Sequence, residues 1–226
     1  MANHENWQEA LSLTDRVLAA VSSVDLAPRR ERWRIFLAIT LNQANERLAA
    51  TRLLLEASFR DSGTIVTRSL FELAVNVVFI AKDIDTRLDE YLHHGQIPLT
   101  EEEAEEALRA ADAGETESMP RAAWRPLRSM CEDLGTGWVN EYDTHYAYAS
   151  VVTHAGSFTF GRHLHRLISG EEPTDEERAG ILVTALAFQL RVAATVSLEF
   201  PESIPPADID GFRGRCLELG ARLGAR

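Results

Sequence analysis

The feature that most constrains the fold is a ladder of polar residues inside an apolar helix. Residues 64–81 read TIVTRSLFELAVNVVFIA, and within this run Arg68, Glu72 and Asn76 follow one another at intervals of four. At about 100° per residue, this interval places the three side chains on one helical face. Burial of an arginine or a glutamate is costly unless the group is paired and hydrogen-bonded. The pattern therefore predicts a central helix in which Arg68 and Glu72 are largely buried and within salt-bridge reach.

Helical periodicity extends over the rest of the chain. The apolar spacing predicts helices at about 5–23, 28–60, 64–83, 84–94, 101–113, 121–134, 138–168 and 175–199, and a last one from Asp208. Gly63 is expected to end the second helix, and Thr174 with Glu177 three residues later matches a capping box. No linker or internal repeat divides the chain. We predict an all-α fold, a single bundle over 1–226 with four long helices plus shorter ones, and 95–135 as an excursion of short helices.

Composition excludes several classes of protein. The 35 acidic residues outnumber the 23 basic ones, and the net charge of −12 makes a nucleic-acid partner unlikely. Cys131 and Cys216 are too few for a disulfide framework. The N-terminal residues lack an apolar signal core, and the longest apolar run, 65–81, is near the lower limit for a membrane span and contains Arg, Glu and Asn. We expect a cytoplasmic protein with no membrane partner.

A second polar stripe follows in residues 142–158. Tyr142, Tyr146, Ser150 and His154 are four residues apart, so they follow one slowly drifting face of a helix. His154 can titrate near neutral pH, and Ser150 lies one turn before it. Aromatic packing with satisfied hydroxyl groups is the structural alternative. A serine hydrolase is not favoured, because the chain has no Gly-x-Ser-x-Gly turn.

The two segments together carry a family resemblance. The helix RSLFELAVNVVFI at 68–80, followed by the tyrosines and the Ser-x-x-x-His segment that ends at His154, resembles a family of uncharacterised bacterial helical proteins known only as a domain of unknown function. The resemblance covers roughly residues 35–160. It implies that Arg68, Glu72, Ser150 and His154 form a shared polar site, and it implies no activity.

A weaker resemblance lies in Arg87-Leu-Asp-Glu-Tyr-Leu-His93. An arginine followed a few residues later by histidine resembles the motif of the HEPN superfamily of all-α proteins. That resemblance implies a metal-independent ribonuclease of a toxin or phage-defence system, with Arg87 and His93 catalytic at the cleft of a homodimer. Leu88 stands where that family usually has a polar residue.

No metal or cofactor is predicted. Glu141 and His145 are four residues apart and can share one ion, but a di-iron bundle needs two Glu-x-x-His motifs, and the sequence does not contain two. The acidic run at 101–106 is typical of a solvated helix face.

The leading functional prediction is a polar binding site between the 64–83 and 138–168 helices, for a small ligand or a protein partner. In this prediction Arg68 binds an anionic group or holds Glu72, and Glu72 orients His154 or an amine of the ligand. The ribonuclease is the first alternative, and a structural interaction protein without a ligand is the second. Whether the protein is an enzyme stays open. The predicted binding residues are Arg68, Glu72, Asn76, Tyr146, Ser150 and His154.

Overall fold

The computed structural model describes residues 2–22, 31–95, 125–153, 165 and 168–224. All regular structure in these residues is helical, which confirms the all-α prediction. The predicted 101–113 helix and His154 lie outside the described residues. The helices are α1 (Ala2–Ala20), α2 (Arg32–Glu56), α3 (Arg60–Ala81), α4 (Ile84–Gly95), α5 (Leu127–Leu134), α6 (Thr136–Glu141), α7 (Ala147–Thr153), α8 (Asp175–Glu199) and α9 (Pro206–Gly224), with a π-helical turn (Tyr142–Tyr146) between α6 and α7.

Helices α3 and α8 form the centre of the bundle. Helix α8 packs against α1, α2, α3 and α9, and α3 packs against α2, α4, α5 and α7 as well. Their buried apolar residues belong to one cluster that also includes residues of α1, α2 and α9. By length and composition each could cross a membrane, but 50% of the most apolar stretch of α3 and 61% of that of α8 are buried inside the protein. The predicted central position of α3 is confirmed.

The turn between α2 and α3 differs from the prediction. Helix α2 ends at Glu56, and Ser58 adopts a left-handed conformation with φ of 63°. Gly63 lies inside α3, where an added Cβ would be 2.9 Å from Leu55 Cδ2. The prediction that Gly63 ends the second helix is therefore wrong. This glycine instead allows the backbone of α3 to approach a buried leucine of α2 closely.

The start of α8 agrees with the sequence. Thr174 Oγ1 accepts a hydrogen bond from the Glu177 backbone N–H at 3.2 Å, and the Glu177 carboxylate accepts one from the Thr174 backbone N–H at 3.0 Å. This is the predicted capping box, and it satisfies backbone donors that the first turn of a helix leaves unpaired. It also fixes the carboxylate of Glu177 at the end of α8 that faces the start of α3.

The segment from α6 to α7 is held against α8 by an ion pair. The guanidinium of Arg191 donates to both carboxylate oxygens of Glu141 and lies 4.2 Å from the centroid of the Trp138 ring. Glu141 is thus engaged with an arginine. The π-helical turn that follows stacks Tyr142 on Tyr146, with ring centroids 4.9 Å apart. These contacts direct the turn and α7 towards α3 and α8.

Candidate functional site

A cavity of about 320 Å³ lies between α3, the α6–α7 segment and α8. Its volume is at the small end of the range for ligand sites, about 300–1,000 Å³. Polar and apolar residues both line it: Arg60, Thr64, Thr67, Arg68, Phe71, His145, Tyr146, Tyr148, Ala149, Glu177, Gly180, Ile181, Thr184 and Phe188.

The wall contributed by α3 is an extension of the polar ladder. Arg60, Thr64 and Arg68 are four residues apart, which is the interval that relates Arg68 to Glu72. The sequence prediction began the ladder at Arg68, and so left out Thr64 at the start of the apolar run and Arg60 before it. The same spacing, followed one and two turns upstream, would have found Thr64 and Arg60.

Arg68 is the best-supported residue of the predicted site. Its Nη2 donates a hydrogen bond to Tyr146 Oη at 2.8 Å, and its guanidinium carbon lies 4.5 Å from the centroid of the Tyr146 ring. Its Nε is 3.3 Å from Glu72 Oε1, so the predicted salt-bridge reach is confirmed. These contacts fix the guanidinium at the edge of the cavity before any ligand arrives.

The predicted burial of Glu72 is wrong. Its side chain is 39% exposed, against 21% for Arg68. An i, i+4 pair runs along the surface of a helix, so the carboxylate reaches the arginine from a solvated position beside the cavity. Glu72 is not one of the lining residues.

The other predicted binding residues have different positions. Asn76 is half-buried one turn beyond Glu72 and does not line the cavity. Ser150 donates to the Tyr146 backbone carbonyl at 2.8 Å, which binds its hydroxyl to its own helix. His154 lies outside the described residues, so the predicted contact between His154 and Glu72 stays a prediction. The structure thus brings together Arg68, Glu72 and Tyr146 of the predicted set.

A second arginine links all three walls of the cavity. Arg60 Nη1 lies 2.5 Å from Glu177 Oε1 on α8, and Arg60 Nη2 donates to Tyr148 Oη on α7 at 3.1 Å. Sequence reasoning treated Glu177 only as a capping residue and missed Arg60 and Tyr148. Since Arg60 and Glu177 are 117 residues apart, no local pattern connects them.

Three threonines, Thr64, Thr67 and Thr184, line the cavity. The hydroxyl groups of Thr64, Thr67 and Thr184 donate to the backbone carbonyl one turn earlier, at 3.1, 2.9 and 2.9 Å. The single hydrogen of each hydroxyl is therefore used within its helix. Each hydroxyl oxygen can still accept a hydrogen bond.

Aromatic rings form the apolar part of the lining. Phe71 packs edge-on against Phe188 with centroids 5.0 Å apart, and Phe71 lies 5.8 Å from the Tyr146 ring. The His145 ring is edge-on to Phe188 at 6.1 Å. His145 as a whole is exposed, but partial burial of its ring lowers its pKa from the ordinary value, so the neutral imidazole predominates at pH 7.

Arg87, the arginine of the ribonuclease alternative, is engaged in contacts at the end of α3. Its Nη1 donates to the Phe79 carbonyl at 2.8 Å, and its guanidinium carbon lies 3.8 Å from the centroid of the Phe79 ring. A cation that binds a late carbonyl of a helix also interacts favourably with the helix dipole. Leu88 is buried in the core. The side chain of His93 lies outside the described residues, so the catalytic pairing stays a prediction.

Comparison with known proteins identifies a family. The family model DUF5677, described as a family of unknown function, matches residues 34–172. No curated protein and no solved structure matches the chain. The matched range includes α2 to α7, and thus two walls of the cavity, but it ends before α8.

Proposed function

The chain belongs to DUF5677, a family of unknown function, and we propose that it is a cytoplasmic protein that binds a small molecule in the cavity between α3, α7 and α8. One observation carries the proposal. Two arginines, Arg60 and Arg68, and three threonines line one space together with the aromatic residues Phe71 and Phe188. A few polar groups placed around a mostly apolar pocket are typical of a ligand site.

The packing of α8 supports this proposal. The space opens to solvent and has buried residues of the core at its base, which is the usual form of a small-molecule site. Gly180 lines the cavity, and a Cβ added there would have no atom within 4 Å. Glycine inside a helix costs about 1 kcal/mol relative to alanine. A residue that weakens the helix and leaves the cavity wide is consistent with a ligand that uses the space.

The electrostatics support the same proposal. Hydrogen bonds from an arginine to an anion are stronger than those between neutral groups. Arg68 is already oriented by Tyr146 and Glu72, so little side-chain entropy is lost when it binds a ligand.

The test is retention of a metabolite by the purified protein. We would incubate the wild-type chain with a cytosolic small-molecule extract, remove unbound material, and identify what remains by mass spectrometry. Gly180→Leu adds four carbon atoms at the cavity wall, and the first of them, Cβ, meets no atom within 4 Å. Gly214→Leu, on an exposed position of α9 with no atom near an added Cβ, is the matched control.

We expect the wild-type protein and Gly214→Leu to retain the same compound and Gly180→Leu to lose it. Equal retention by all three proteins would show that the compound binds elsewhere. Absence of any retained compound from the wild-type protein would contradict the proposal.

A further inference from the structure

We infer that the molecule bound in this cavity is a small monoanion with an apolar body and at least one hydrogen-bond donor, such as a hydroxylated aromatic carboxylate. The inference rests on the proposed function and adds the chemical class of the ligand. Three properties of the lining support it: its net charge, the position of the arginine whose carboxylate partner lies outside the lining, and the excess of hydrogen-bond acceptors among its hydroxyl groups.

The charge of the lining indicates one negative charge on the ligand. Arg60 and Arg68 contribute two positive charges, Glu177 contributes one negative charge, and His145 is neutral at pH 7. The sum is +1. A monoanion balances it, whereas a cation would add to an uncompensated charge beside an apolar floor.

The position of the anionic group follows from how the two arginines are paired. Arg60 is 2.5 Å from the carboxylate of Glu177, so its charge is neutralised within the cavity. The carboxylate partner of Arg68 is Glu72, which is part-exposed and lies outside the lining. Glu72 and Glu177 are almost equally exposed, at 39% and 38%, so the two pairs differ in the longer distance between Arg68 and Glu72, 3.3 Å, and in the position of Glu72 outside the lining. A ligand carboxylate is therefore attracted mainly to Arg68.

Arg68 also has N–H donors for a ligand. A guanidinium carries five N–H donors. Among the contacts of the described residues, Nη2 bonds to Tyr146 and Nε faces Glu72. The Nη1 group remains for the ligand. A carboxylate that accepts from Nη1 makes a charge-assisted hydrogen bond, which is about twice as strong as a neutral one.

The threonine oxygens specify the rest of the molecule. Thr64, Thr67 and Thr184 line the cavity and have donated their hydrogens to helix carbonyls, so the only hydrogen-bonding capacity left on their side chains is that of an acceptor. A ligand with no donor would remove water from these oxygens without replacing its hydrogen bonds. Phe71, Phe188 and Ile181 provide the surface for a flat apolar body. A hydroxyl or an amide N–H on that body meets the acceptors.

Three probes of similar shape separate these features. They are 4-hydroxybenzoate, benzoate, which lacks the donor, and 4-hydroxybenzamide, which lacks the charge. We would measure their affinities by isothermal titration calorimetry. For the wild-type protein, loss of the charge should weaken binding about 10-fold or more, and loss of the hydroxyl about 3- to 10-fold.

Two arginine variants test the assigned position of the charge. Arg68→Gln should make the acid and the amide bind with equal affinity. Arg68→Lys keeps the positive charge but loses the planar guanidinium that can donate two hydrogen bonds to one carboxylate, so it should give an intermediate preference for the acid. Arg213→Gln, at an exposed position of α9, is the matched control and should behave as the wild type. Thermal melts of all variants show whether each is folded.

The outcomes distinguish this inference from the proposed function. If wild-type protein binds the amide as tightly as the acid, and Gly180→Leu binds neither, the cavity binds ligands but the monoanion class is wrong. If Gly180→Leu binds all probes as well as the wild type, the probes bind elsewhere and the inferred ligand class fails. If no probe binds at millimolar concentration, the inference is overturned, and the extract experiment decides the proposed function separately.

Discussion

Replacing Gly180 with alanine should stabilise the protein, whereas the same replacement at Gly63 should destabilise it. Both residues are helical, in α8 and α3. Alanine inside a helix is favoured over glycine by about 0.8–1.0 kcal/mol. At Gly180 the added methyl group meets no atom within 4 Å, so this gain should appear in full. For a chain of this size, about 1 kcal/mol raises the melting temperature by about 2–4 °C.

At Gly63 a steric cost opposes the gain. The added Cβ would lie 2.9 Å from Leu55 Cδ2 and 3.1 Å from Leu55 Cγ, both inside ordinary contact distance. Leu55 is fully buried, so its side chain has little room to move. Overpacking of this kind costs about 1–3 kcal/mol. Because Gly63 lies in the first turn of α3, its propensity gain is smaller, and the expected net loss is about 1–2 kcal/mol.

The assay is urea denaturation of both variants beside the wild type, followed by circular dichroism at a helical wavelength. Gly214→Ala in α9, where an added Cβ also meets no atom, is the control for helix propensity and should match Gly180→Ala. Equal slopes of unfolding are needed for the comparison of midpoints to report stability. If Gly63→Ala is as stable as Gly180→Ala, Leu55 moves aside and the close approach of α2 and α3 does not require glycine. A urea midpoint for Gly180→Ala below that of the wild type would show that the space beside Gly180 is not open.

Four further predictions concern an N-cap, an ion pair, the two buried thiols and the net charge of the chain. Thr174→Ala should lower stability by about 1 kcal/mol because it removes the N-cap of α8, and Thr174→Ser should restore most of it; thermal melts measure both. Glu72→Ala should cost less than about 1 kcal/mol in chemical denaturation, since the part-exposed i, i+4 pair is screened; a loss of 3–5 kcal/mol would instead indicate a buried charge. Burial raises the pKa of both thiols, Cys131 and Cys216, to about 11, so an aromatic disulfide reagent at pH 8 should label neither thiol until the protein is unfolded. The free energy of unfolding should fall as the pH rises from about 9 towards 11, because in this range the thiols ionise only in the unfolded chain. Purified protein should leave structured RNA intact at low salt because its net charge is −12; cleavage abolished by Arg87→Ala would put the ribonuclease first.

The sequence by itself determined the features that depend on residues within one helical turn. The all-α class follows from apolar residues at helical spacing, and both it and the family were predicted correctly. The capping box at Thr174 and the pair between Arg68 and Glu72 were also found, because each joins residues three or four positions apart. Such contacts form whenever the helix forms.

Only the tertiary structure decided which of these residues surround a cavity. Arg60 contacts Glu177 because the start of α3 packs beside the start of α8. The two residues are 117 positions apart in the sequence. The burial of Glu72 and the role of Gly63 were mispredicted for the same reason: each depends on which neighbouring helix covers that face. Periodicity defines the faces of a helix, but the register and side on which another helix packs depend on the shapes of both surfaces, which no local pattern contains.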